Sequence, residues 1–172
     1  MKTNALEVAN YLIDIAKRNN EEIHLLKLVK EVYIAHGFSL ALTGDSLLDP
    51  RFDKVEAWKY GPVIPCVYHS FKQYRNNPIG EKTVTIRMDD HGNVRFIEPT
   101  LKDETARRIV EMVWKRYRSM SDSDLVSLTH KSGTPWDACY EEGANNVIPD
   151  SFTKLYYEKV VKNVMDNKCK KK

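Results

Sequence analysis

Residues 22–42 read Glu-Ile-His-Leu-Leu-Lys-Leu-Val-Lys-Glu-Val-Tyr-Ile-Ala-His-Gly-Phe-Ser-Leu-Ala-Leu, and this stretch decides the fold. At 3.6 residues per turn, its apolar set from Ile23 through Val32, Tyr33, Ile34 and Phe38 to Leu42 covers almost the whole circumference of a helix. A helix that is apolar on most sides must be packed from several directions, so it is expected at the centre. Gly37 in its interior costs about 1 kcal/mol against alanine, which predicts a close approach by another backbone there. Thr43-Gly44-Asp45 ends the helix.

Working outward, Asn4 is an N-cap for a helix that carries Ala5, Val8, Ala9, Leu12, Ile15 and Ala16 at helical spacing and stops near Arg18. Val55-Glu56-Ala57-Trp58 alternates like a short edge strand. Ile64, Val67, Tyr68, Phe71 and Tyr74 then recur every three or four residues behind prolines, as in a helix start. Between Lys82 and Ile97 the period changes to two, with Asp89-Asp90-His91-Gly92-Asn93 at the turn of a hairpin. Further helices are expected near 102–118, from Ser121 to His130, from Thr134-Pro135-Trp136, and after Ile148-Pro149-Asp150. The class this predicts is mainly α (α+β): a compact helical domain with a small antiparallel hairpin. Residues 1–166 are expected to form one domain, and 167–172 a disordered, lysine-rich tail.

Composition narrows the function classes. The chain has 172 residues, 42% hydrophobic and 30% charged, a globular balance with room for a core. No 18-residue apolar run suggests a membrane span, and no apolar leader precedes the first helix, so a cytoplasmic protein is expected. Cys66, Cys139 and Cys169 are widely spaced and odd in number, which suits free thiols. The net charge is +3, but Lys168 and Lys170–Lys172 supply four positive charges, and without them the remainder stands at −1. A body so near neutrality argues against specific nucleic-acid binding.

Candidate chemistry is sparse. Cys66 and His69 share a helix face and could form half a zinc site, but His36, His130 and Cys139 supply no second close pair. Cys139 with His130 could be a nucleophile and base, although Glu141 and Glu142 oppose thiolate formation. No phosphate loop or dinucleotide fingerprint is present. Residues 125–140 could be misread as helix-turn-helix, yet Asp137, Glu141 and Glu142 would repel phosphate. No catalytic residue, metal ligand or cofactor is therefore expected. Two surfaces remain. One is aromatic: Trp58, Tyr60, Tyr68, Phe71 and Tyr74 around Gly61-Pro62, with Trp136 behind another proline. Rings on proline-set backbone serve equally as core or as binding hot spots. The other is the polar side of the helix at 102–118, where Arg107 and Arg108 offer a patch for an acidic partner.

Three stretches read together resemble the Panacea domain, the family of SocA-like antitoxins and phage-associated GepA-like proteins. They are Leu28-Val29-Lys30 through Tyr33–Ala41 with Gly44 and Leu47; Glu56–Pro65 with Val67-Tyr68 and Phe71-Lys72; and Leu128–Lys131 with Pro135-Trp136 ahead of Ile148-Pro149. The resemblance implies a mainly helical domain and, in many members, an antitoxin that holds a toxin inactive by direct binding. On that basis Trp58, Tyr60, Gly61, Pro62, Tyr68 and Trp136 are expected to contact a protein partner, with Arg107 and Arg108 as a secondary patch. The alternatives are a phage- or prophage-encoded interaction protein without a toxin, or a Cys/His-dependent hydrolase. The 82–97 hairpin and the lysine tail lie outside these motifs.

Overall fold

The computed structural model describes residues 3–169; of the expected tail at 167–172, residues 167–169 continue the last helix and residues 170–172 lie outside the described residues. Six α-helices and two antiparallel strand pairs make up these residues. Helix α1 (Ala5–Arg18) opens on Asn4, whose side chain accepts from the Glu7 amide. The buried Asp53 carboxylate adds a bond from the Ala5 amide at 2.8 Å, so two acceptors serve the helix start.

Helix α2 (Leu25–Thr43) is the centre, as its apolar circumference predicts: every residue from Lys27 to Leu40 is buried. Gly44, at φ 80°, takes the left-handed position that closes it. The close approach at Gly37 comes from a side chain rather than a backbone. A Cβ there would lie 2.2 Å from the Tyr157 ring of helix α6 (Asp150–Cys169). The missing Cβ is what lets α6 lie against α2, and the Tyr157 ring also meets Phe38 edge-on at 5.2 Å.

Helices α3 (Pro65–Phe71), α4 (Glu104–Tyr117) and α5 (Asp122–Thr129) pack around α2 as well. Lys27 runs along the Trp114 ring and donates to the carbonyls of Arg118 and Met120, just past the end of α4. There its charge also suits the helix dipole. Ser121 and Asp124 form a complete capping box for α5.

Strand β1 (Glu56–Trp58) pairs with β2 (Gly61–Val63), and β3 (Thr85–Met88) with β4 (Val94–Ile97). Asn10, only 2% exposed on α1, clamps the base of the second hairpin: its amide donates to Thr83 and Pro99 carbonyls and its oxygen accepts from the Thr83 amide. Beyond that clamp Ile86, Met88, Val94 and Phe96 share one face and all stand exposed.

One expectation is corrected. Thr134-Pro135-Trp136 does not open a helix; residues 132–144 form successive turns. Only isolated helical bonds form there, from Ala138 to Thr134 and from Tyr140 to Trp136, and the Asp137 carboxylate instead accepts from the Gly133 amide and the Ser132 hydroxyl. No helix among the described residues is long and apolar enough to cross a membrane.

Candidate protein-binding surface

The β1–β2 turn is built from backbone that three distant segments hold in place. Lys59 and Tyr60 form the two-residue loop, and Gly61 follows with φ 100°, a conformation that excludes a Cβ at little cost only for glycine. A Cβ on Gly61 would also sit 2.8 Å from the Lys30 ammonium. Pro62 can lie in β2 because Ala57, its partner, turns its amide outward to the Asn146 carbonyl at 2.8 Å. Proline's absent N–H therefore faces away from β1 and leaves no ladder bond broken. On the far side of β1 the chain at 146–148 adds a third edge, with the Ile148 amide donating to Val55.

Three side chains then bond to carbonyls of this turn. Trp136 Nε1 donates to the Trp58 carbonyl at 2.7 Å, His130 Nε2 lies 3.0 Å from the Lys59 carbonyl, and Lys30 Nζ donates to the Pro62 carbonyl at 2.9 Å. Since a carbonyl only accepts, His130 must carry its proton on Nε2 for the second bond to form. Trp136 is itself fixed between two rings, 3.7 Å from His130 and 4.5 Å from Tyr140 by centroid. Lys30 comes from α2, His130 and Trp136 from the segment after α5, and the carbonyls from the turn. The three stretches singled out in the sequence thus meet at one place.

Lys30 is almost wholly buried, and its burial lowers the ammonium's pKa to about 7. Its neighbour Glu31 is equally buried with neither carboxylate oxygen hydrogen-bonded, and burial raises its pKa to about 8. Neither residue was singled out in the sequence as part of a site. The signal was present: a lysine on a helix apolar all round has to be buried, and a buried ammonium needs an acceptor.

The proposed site residues divide by exposure. Tyr60 projects at the tip, 62% exposed, with the Lys59 ammonium over its ring. Trp58 and Tyr68 are half-buried and meet edge-on at 5.0 Å, with the exposed His69 ring beside both. The Trp58 indole donates to Glu56, which fixes its orientation. Gly61 and Pro62 are buried beneath, Trp136 is only 6% exposed and holds the turn from inside, and Phe71 is core. Arg107 and Arg108 lie elsewhere, on α4. Arg107 is engaged, donating to the Leu101 carbonyl at 2.6 Å and pairing with Glu104, whereas Arg108 is exposed.

Neither Cys66 nor Cys139 sits where a thiolate is favoured. Cys66 Sγ donates to the Asp53 carboxylate at 3.2 Å, and burial, that charge and that hydrogen bond all push its pKa up. Burial raises Cys139 too, and the His130 Nε2 that would serve it lies against the Lys59 carbonyl. Among the described residues no group of three or more His, Cys, Asp or Glu side chains gathers where a metal could be held.

Comparison with known proteins agrees with this geometry. The family model described as antitoxin SocA-like, Panacea domain, matches residues 28–137, a span that includes the turn and the Lys30, His130 and Trp136 side chains that bond to its carbonyls. Antitoxin SocA of Caulobacter vibrioides (strain NA1000 / CB15N) is 37% identical over 133 residues, covering 77% of this chain and 68% of that protein. No solved structure matches. By both comparisons, the chain belongs to the SocA-like antitoxin Panacea family.

Proposed function

We propose that this protein is an antitoxin that neutralises a toxin protein by direct contact, using the Trp58–Pro62 turn as a principal contact surface. The observation that supports the reading most is that three side chains from two distant segments hold the turn's carbonyls, while the Lys59 and Tyr60 side chains at its tip stand exposed. A surface whose backbone is already fixed has little ordering entropy to lose on binding, and tyrosine and tryptophan supply large contact area with few rotatable bonds. Tyr60 is the anchor on this reading, and Trp58, Tyr68 and His69 form the shoulder it rises from. Gly61, Pro62, Lys30, His130 and Trp136 hold that surface in shape rather than touch the partner.

Co-expression with the toxic product of a neighbouring gene tests this. Wild-type protein should restore growth and co-purify with the toxin. Tyr60→Ala, which removes only an exposed ring, should weaken the complex by about 2 kcal/mol or more, as hot-spot truncations do, with an unchanged melting temperature. Full rescue by a Tyr60→Ala, Tyr68→Ala double variant would remove this turn from the interface.

A further inference from the structure

At the other end of α2, helices α4 and α6 both pack on it but stand apart from each other, leaving a groove of about 730 Å³. Phe38 and Leu42 of α2 form its floor; Met112 lines one wall, and Val161, Val164 and Met165 the other. These are not buried side chains glimpsed through a gap. Leu42 is 44% exposed, Met112 38% and Met165 59%. Large apolar groups left open in one trough mark a place that something covers.

The charges say what covers it. Arg108, Lys115 and Arg116 lie on the α4 wall, at positions that share a helix face with Met112. Arg108 and Lys115 make no ion pair or hydrogen bond with any described residue. Arg116 reaches only the Tyr117 ring and hydroxyl. Among the described lining residues the one acid is Glu111, which accepts from the Tyr11 hydroxyl on α1; its single negative charge leaves the wall net positive against Arg108, Lys115 and Arg116.

We infer that this groove seats an acidic amphipathic helix of the partner protein. A trough between two helices on a third takes a fourth helix, whose backbone needs no hydrogen bonds from the walls and whose apolar stripe meets the apolar floor. Carboxylates on the flank facing α4 pair with Arg108 and Lys115. The inference rests on the protein-binding role proposed above but concerns a second surface: Lys30 beneath the turn and Leu42 in the groove are twelve residues apart on α2, about 18 Å along its axis.

The test needs no toxin. A fluorescent peptide of about sixteen residues, long enough for four helical turns, carries leucines at three- and four-residue spacing and glutamates elsewhere. A second peptide replaces every glutamate with lysine. Titrated with the full chain, the glutamate peptide should bind about tenfold or more tighter, with the preference shrinking as salt rises. Arg108→Glu with Lys115→Glu should reverse the preference, an outcome that unfolding cannot produce. Met112→Asp should abolish binding of both peptides, while Tyr60→Ala should leave it unchanged. Equal binding of the two peptides, no binding of either, or an unaltered preference in the double variant overturns the inference. So does finding the groove occupied by a second copy in sedimentation, or retention of the chain on phosphatidylserine vesicles that the same double variant abolishes. Failure here with growth rescue intact leaves the antitoxin reading standing; loss of rescue by Tyr60→Ala with peptide binding intact separates the two surfaces.

Discussion

The two ends of α2 handle positive charge in opposite ways. Near its start, Lys30 is sealed under the β1–β2 turn and spends its ammonium on one carbonyl. Near its finish, the helix runs into an open apolar trough where the Arg108 and Lys115 side chains on α4 have no partner among the described residues. The first arrangement shapes a surface from beneath and is costly, because a buried charge is poorly solvated. The second costs the isolated protein little and remains available to whatever binds. Residue type alone does not distinguish them; burial and partners do.

The largest effect that would test this contrast is a pH dependence from the buried end. Glu31 has a folded pKa of about 8 against an ordinary 4.5, so between those values the folded chain keeps a proton that the unfolded chain has released. The stability this provides is complete below about pH 4.5 and is lost as pH rises through 8. Lys30 acts in the opposite sense. Its folded pKa of about 7 lies below the ordinary 10.5, so the unfolded chain binds the extra proton in that window and stability rises with pH across it. Denaturant titrations should therefore show minimum stability near pH 7–8. Glu31→Gln should remove the loss between pH 4.5 and 8, worth up to about 5 kcal/mol at 1.36 kcal/mol per pKa unit. Lys30→Met should flatten the alkaline rise. A stability curve flat from pH 5 to 9 in the wild type would show that neither group is buried in the way described.

Gly37 marks the boundary between the two ends, where α6 docks. Gly37→Ala places a methyl within 2.2 Å of the Tyr157 ring, and a wholly buried aromatic has nowhere to go. Overpacking of this kind should cost about 3 kcal/mol, read as a shift in denaturation midpoint. Tyr157→Leu in the same chain should recover part of it, since the shorter side chain vacates the space. Losses that simply add would mean the methyl meets something else.

How much of this was legible in the sequence follows from whether a feature is local. Helices α1, α2, α4 and α5 and the 85–97 hairpin stand where periodicity and caps put them, because each is specified by residues within a turn or two of one another. Strand β2 was not, since Pro62 reads as a breaker. It is tolerated only because the Asn146 carbonyl takes the Ala57 amide on the other side of β1, a long-range fact. Trp136 misled in the reverse direction: a threonine-proline start gives a helix signal, but the indole's bond to Trp58 and the Asp137 carboxylate's bonds backward hold the segment in turns. The pair Arg107 and Arg108 looked like one patch, and only the fold shows that one is tied down and the other free.

Gly61→Ala should have a smaller effect than Gly37→Ala and act on the turn alone. The φ of 100° strains any Cβ, and the Lys30 ammonium 2.8 Å away must yield; a flexible side-chain end can do so. About 1–2 kcal/mol of destabilisation is expected. The indole signal of Trp58 should change in near-ultraviolet circular dichroism, and peptide binding in the groove should not.

The smallest effect is the sharpest test of the contrast between tied and free cations. Arg107→Ala breaks the bonds to the Leu101 carbonyl and Glu104 and takes a guanidinium off the Tyr11 ring, so it should cost about 1 kcal/mol. Arg108→Ala removes a charge with no partner and should change stability by no more than about 0.5 kcal/mol in either direction. In the peptide titration the ranking should invert, with Arg108→Ala weakening the glutamate peptide and Arg107→Ala leaving it unchanged. Adjacent residues of the same type would then differ in both assays and in opposite order, which a general surface-charge effect cannot produce. Equal losses of peptide affinity from the two variants would mean that α4 attracts acids only through its overall field, and the distinction between the two ends of α2 would reduce to burial alone.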